Sequence, residues 1–202
     1  NLIGNSNMEK KQVRKDQAGK ARIGAIGENL VVAKLMQQGW DAFNANCTIK
    51  NYKSIDVVCL NADMKESDEL WWKPKTSLIQ VKTSVQNNIP AGFSIQETLD
   101  KDYLKQMVKG PYVFVSAKMN DGGYTFRYFI ISRNQFINLL YLVHQYYVNV
   151  LHQDDNLELS APACISISWL EGKPEFSSRN HANFGNPLSE SCEDKWENIW
   201  ED

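Results

Sequence analysis

Ile23, Ile26, Leu30 and Ala33 recur every three or four residues, the interval that lines side chains along one face of a helix. The spacing predicts a helix over residues 15–38, stopped by Gly39. The pattern then changes. Strands are predicted over 40–46 and 55–60, with residues 51–54 as the turn before the second. The polar stretch 61–75, which holds Trp71, Trp72 and Pro74, reads as a long hairpin connection, and β-branched, alternating residues predict a strand over 76–84. A helix over 96–108 is closed by Gly110-Pro111. Strands over 112–118 and 124–132 flank Asn120-Asp121-Gly122-Gly123, a hairpin turn sequence. Residues 134–152 form a long apolar helix. Beyond Asp154 the chain is rich in Ser, Pro, Asn and acidic residues, with one strand over 165–170 and a short closing helix through Trp196 and Trp200.

This order is that of an α/β protein whose central mixed β-sheet is flanked by helices; it is not a regular βαβ alternation. The chain divides into a basic N-terminal arm over 1–14, an α/β domain over 15–153 and an acidic C-terminal extension over 154–202 that packs on the domain.

Composition narrows the class. At 202 residues, 43% hydrophobic and 23% charged, the chain is an ordinary globular one, which excludes wholesale disorder and fibrous classes. No apolar run approaches the roughly 18–20 residues that span a bilayer, and no secretory signal pattern is present, so the expected location is cytoplasmic. Cys47, Cys59, Cys164 and Cys192 lie far apart with no C-x-x-C pair and read as intracellular thiols. Met8, followed by Glu9-Lys10-Lys11, reads as a natural beginning. The net charge of −2 conceals a gradient: residues 1–35 carry +4, residues 36–153 carry +2 and residues 154–202 carry −8. A basic working part with an acidic tail is one meaning of such asymmetry, and a solvated charged face is the other.

Three segments place polar residues where packing alone would not. In Ile55-Asp56-Val57-Val58, strand alternation sets Asp56 on the face of Val58 and Leu60, where a carboxylate is costly unless paired or bound to a cation. In Gln80-Val81-Lys82-Thr83-Ser84, Gln80 and Lys82 share a face, an amide and an ammonium about 6–7 Å apart along the strand. In the first helix, the neighbours of Glu28 are Gly24, Ala25, Val31 and Val32, so another element should cover this acid.

Together these segments resemble the PD-(D/E)xK nuclease superfamily, with its restriction-endonuclease-like fold. The resemblance rests on Gly27-Glu28 with Val31, Leu35 and Gly39, on Ile55-Asp56-Val57-Val58 and on Gln80-Val81-Lys82-Thr83-Ser84, and it spans about residues 19–132. The chain departs from the commonest pattern in carrying Gln80 where Asp or Glu is usual, and Ile55 where Pro precedes the aspartate. Gln occurs at this position in active branches of the superfamily. The resemblance implies a Mg²⁺-dependent endonuclease acting on DNA, with RNA as the other nucleic-acid substrate and Mn²⁺ as a substitute ion. Asp56 is then the main metal ligand, and the Gln80 side-chain oxygen and the Val81 carbonyl supply two more. Glu28 binds through water or holds a second ion, and Lys82 orients the attacking water and steadies the charged transition state. The alternative is a protein that keeps this fold without cleavage and binds nucleic acid or a protein partner.

Other features carry less chemistry. Trp71-Trp72 suits a core pair better than a base-stacking platform. His144 and His152 lie too far apart on one helix to clamp a metal, and His181 stands alone. The helix over 134–152 is apolar on two sides, Phe136, Leu139, Leu140 and Val143 on one and Ile137, Tyr141 and Val148 on the other, which fits either a core position or a homodimer interface.

Overall fold

The computed structural model describes residues 2–47, 54–61, 74–86, 88–94, 100–146, 164–170, 173–177 and 192–202; at 2–16, 47, 88, 94, 143–146, 164–170 and 173–177 it describes the backbone alone. Its axis is β3 (Lys75–Ser84), which buries Ser77, Ile79 and Val81 on one face and leaves Leu78, Gln80 and Lys82 half-buried on the other. β1 (Asp41–Asn44), β2 (Val57–Asn61), β3, β5 (Tyr112–Asn120) and β6 (Gly123–Ile131) form one sheet in the order β1-β2-β3-β5-β6. β3 and β5 run parallel and the other neighbours antiparallel, so the sheet is mixed. The chain is α/β, with helices flanking that sheet.

On one face, α1 (Leu2–Gln37) lays Val31 and Leu35 over Val57, Cys59, Ile79, Val81, Val113 and Val115. Each such aliphatic side chain stabilises the fold by about 1.5–3 kcal/mol when fully buried. Helix and strand approach closely at Gly27, where a Cβ would overlap the Thr83 hydroxyl. On the other face, α2 (Lys101–Met107) and α3 (Arg133–Tyr146) bring Leu104, Phe136, Ile137 and Leu140 against Tyr112, Phe114, Phe129 and Ile131. Asp100 starts α2 as its N-cap, accepting from the Asp102 and Tyr103 amides. The second sheet, β4 (Asn88–Ser94), β7 (Cys164–Leu170) and β8 (Lys173–Ser177), adds Ile89, Ala91 and Phe93 to this layer.

Several boundaries differ from the sequence pattern. α1 begins at Leu2 and takes in the stretch assigned to a basic arm. The strand expected over 40–46 stops at Asn44, whose side-chain oxygen takes the Asn46 amide and turns residues 45–47 into a 3₁₀ helix. β4 and β8 are unexpected strands: Pro90, Gly92 and Pro174 read as strand breakers, yet Pro90 pairs with Ser166 and Pro174 with Trp169. Residues 96–99 and 147–152 of the two predicted helices, with Trp71, Trp72, His152 and His181, lie outside the described residues. In the described part of α3, Phe136, Leu139 and Leu140 of one stripe and Ile137 of the other are buried within the chain. Its own core covers them, and these positions lend the homodimer no support. Among the described residues no helix is long and apolar enough to cross a membrane.

The described end of the acidic extension belongs to the core. Residues 196–200 turn as a 3₁₀ helix that buries Trp196 and Ile199 in the α1-side layer. Ser77 donates to the Ile199 carbonyl at 2.8 Å and Asn198 to the Ile130 carbonyl at 2.8 Å. Cys192 and Asp194 bond to the backbone of β6, and Glu193 receives Arg127 on both oxygens, at 2.7 and 2.8 Å. Burial pushes the Cys59 and Cys192 thiols up to about 12, so both remain protonated at neutral pH.

Gly27→Ala should lower stability by about 1–3 kcal/mol, because the helix must lift off Thr83; urea unfolding measures it. The hydrogen bond and charge of Arg127 hold the Glu193 carboxyl below its ordinary range. Its stabilising contribution is therefore present at neutral pH and is lost as the pH falls through that depressed range. Glu193→Gln should cost about 1 kcal/mol at pH 7, with the difference from wild type fading in thermal unfolding as the pH is taken below about 4.

Candidate functional site

Asp56 lies immediately before β2 and is only 8% exposed. The register sets Val57 against Ile79, so Asp56 falls level with Gln80, and its amide donates to the Ile79 carbonyl at 2.9 Å. Both oxygens of its carboxylate are engaged. Oδ2 accepts from the Val81 amide at 2.8 Å and from the Gln80 Nε2 at 3.1 Å, and Oδ1 accepts from the Asn46 Nδ2 at 3.0 Å. Two of these donors are side-chain amides and one is backbone, which satisfies a buried charge without a cationic partner.

Glu28 reaches the same network from α1. The Asn44 Nδ2 donates to its Oε2 at 2.8 Å, and the Asn44 Oδ1 accepts the Asn46 amide at 2.8 Å. A continuous polar path therefore runs from Glu28 through Asn44 and Asn46 to Asp56. Asn44 ends β1 and Asn46 sits in the 3₁₀ turn, so these short elements exist at the place where they join the two acids.

Lys82 shares the Gln80 face of β3, two residues further along, and is half-buried. The pairing of Gln80 with Tyr112 and Lys82 with Phe114 puts both on the layer beneath β4. There β4 bulges between Pro90 and Ser94, and Gly92 adopts a φ of +86° that side chains rarely take. A Cβ at Gly92 would stand 3.6 Å from the Lys82 Cε and 3.8 Å from its Nζ, so the ammonium runs along the bare glycine backbone. Among the described residues Lys82 makes no ion pair. Tyr112 walls the site on the β5 side. Burial, with the Asp56 charge nearby, pushes its phenol well above the ordinary range, so it stays a neutral donor.

Of the four side chains singled out from the sequence, Asp56 touches Gln80 directly, Lys82 follows Gln80 on the same face of β3, and Glu28, on α1 across the opposite face of the sheet, joins Asp56 only through two asparagines. Val81 contributes its amide to Asp56; its carbonyl lies on the same side of the strand, because both groups of an extended residue point toward the same neighbour. The residues that sequence reasoning missed are Asn44, Asn46, Gly92 and Tyr112. The Asn-Ala-Asn spacing was a usable signal, since i and i+2 asparagines after a strand favour an Asx turn. Neither a family model, nor a curated protein, nor a solved structure matches the chain.

Asp56→Ala would strip the acceptor from three donors at once, the Val81 amide and the Gln80 and Asn46 side chains. It should destabilise the fold by about 1–3 kcal/mol in urea unfolding.

Proposed function

We propose that this chain is a Mg²⁺-dependent endonuclease of restriction-endonuclease-like fold that hydrolyses phosphodiester bonds in DNA. What carries the proposal is the convergence of Asp56, Gln80 and Lys82 on one sheet face at the β2–β3 junction, with Glu28 linked to them across Asn44 and Asn46.

The donor set suits a hard cation. Among the described residues no three His, Cys, Asp or Glu side chains cluster, so a metal here rests on one or two carboxylates completed by neutral oxygens and water. Mg²⁺ is commonly held that way, and zinc is not. Asp56, the Gln80 side-chain oxygen and the Val81 carbonyl would hold it, with Glu28 behind them. The Gln80 amide now turns its NH₂ toward the Asp56 carboxylate. End-for-end rotation of the amide would set oxygen beside oxygen, repulsive by itself and favourable across a cation. What a bound Mg²⁺ supplies is a more acidic water and neutralisation of charge on the phosphoryl oxygens. In the hydrolysis, water oxygen bonds to phosphorus, the bond from phosphorus to the leaving sugar oxygen breaks, and a proton from the water ends on that oxygen. Lys82 donates from its Nζ to the water or a phosphoryl oxygen, and the glycine backbone beside it leaves that ammonium unobstructed.

One observation favours a second reading. Asp56 already accepts three hydrogen bonds, as a purely structural carboxylate would. A nuclease-fold protein that binds nucleic acid without cutting would be built the same way.

Incubation with plasmid and single-stranded DNA, with and without Mg²⁺ or Mn²⁺, separates the two. Divalent-dependent cutting is the expected result, and binding without cutting would leave the second reading. Lys82→Ala should lower the cleavage rate at least about 100-fold while the melting temperature and DNA affinity stay near wild type. Wild-type cutting by that variant would make Lys82 an ordinary strand lysine.

A further inference from the structure

The first half of β3 has β2 on one side, but on the other β5 begins to pair only at Gln80. Beside residues 75–78 this leaves a cleft of about 420 Å³. One end is closed by Gly110, whose backbone sits so close to the Leu78 carbonyl that a Cβ would overlap it. Three cations, Lys75, Lys109 and Arg133, line the cleft together with Trp200 and two carboxylates, Glu201 and Asp202. The candidate site adjoins it further along β3: Gln80 lies two residues beyond Leu78, about 7 Å along the strand, and Lys82 four residues beyond, about 13 Å, and neither Asp56 nor Lys82 lines the cleft.

Arg133 is held rigidly. Its Nε donates to the Val108 carbonyl at 2.8 Å and its Nη2 to the Lys105 carbonyl at 2.7 Å, so the guanidinium plane is fixed by the backbone at the end of α2. The remaining nitrogen, Nη1, meets the Asp202 Oδ1 at 3.4 Å. That side chain is 84% exposed, against 27% for Arg133. A pre-set arginine thus holds a carboxylate through one long, solvent-exposed contact that another anion can replace at little cost. Lys109 donates to the Gln106 carbonyl, which keeps its ammonium near the same cleft. Trp200 packs edge-on against Trp40, and its buried indole N–H meets no acceptor among the described residues.

We propose that this cleft binds a phosphoryl group, with Arg133, Lys75 and Lys109 as its cationic partners and the Asp202 carboxylate as the group it displaces. Free phosphoryl compounds and the phosphates of a nucleic-acid strand share this chemistry. The cleft owes nothing to Asp56 or Lys82, so it stands or falls apart from the nuclease reading.

The test is a titration of the ¹⁵N-labelled full chain in EDTA, following the indole resonance of Trp200, first with pyrophosphate and then with a short single-stranded DNA lacking terminal phosphate. Pyrophosphate should move that resonance. Lys75→Ala combined with Lys109→Ala should weaken its binding about tenfold with the rest of the spectrum unchanged, and Asp202→Asn should tighten it about threefold by removing the competing carboxylate. Lys82→Ala should leave the titration as in wild type. A response to pyrophosphate alone assigns the cleft to free phosphoryl ligands; a response to both, in competition, assigns it to a strand. No movement of Trp200 with either probe, or equal pyrophosphate affinity in the wild type and the double lysine variant, would overturn the proposal.

Discussion

A carboxylate taken out of water must be met by donors, and the centre of this molecule is arranged to meet one. Asp56 draws in the Val81 amide, the Gln80 side chain and Asn46, and in doing so ties the start of β2 to the middle of β3 and to the turn after β1. Three strands are thereby held in one relation by a single side chain. The position of Gln80 and Lys82 follows, because a one-residue slip of β3 would send both to the opposite face. α1 is fixed against the same strand by the contact of Gly27 with Thr83, which brings Glu28 to Asn44.

An apolar layer lies on each face of the sheet. In the α1 layer aliphatic side chains meet between helix and strands, and Tyr128 packs on Trp196, which with Ile199 comes from residues 196–200. The α2–α3 layer centres on an aromatic cluster: Tyr112 lies 4.0 Å from Phe136 between ring centroids, and Phe114 and Phe93 lie within 6 Å of Phe136. The candidate site lies on the α2–α3 side, under a strand whose bulge at Gly92 makes room for a lysine. The acidic extension, where described, is a working part of the fold; its charge is spent on Arg127 and Arg133 as well as on solvent.

β3 therefore carries two adjoining polar places. Near its C-terminal end stand Gln80 and Lys82 with an acid on either side. Beside its N-terminal half, where β5 has not begun, lies the cleft around Arg133. Both arise from strand ends that do not match: β2 starts late and leaves room for Asp56, and β5 starts late and leaves the cleft. Mismatched strand ends expose backbone and side chains that a fully paired sheet would bury.

The residue pattern alone determined much of this protein. Helical spacing identified α1 and α3, alternation identified β2, β3, β5 and β6, and the Asn120–Gly123 turn sequence identified the hairpin between the last two. These signals are local, since each element buries one regular stripe. The same pattern isolated Glu28, Asp56, Gln80 and Lys82 as polar residues on apolar faces, because desolvation makes such positions conspicuous. Tertiary structure decided the rest. β4 and β8 contain Pro90, Gly92 and Pro174, and they become strands only because β7 lies between them to pair with. Asn44 and Asn46 look like ordinary loop asparagines until Glu28 and Asp56 are brought beside them from either side in the chain. Arg133, Lys75 and Lys109 are scattered surface cations in the sequence and share a cleft only where β5 begins late. Contacts between distant segments depend on register and strand length, which no local periodicity encodes.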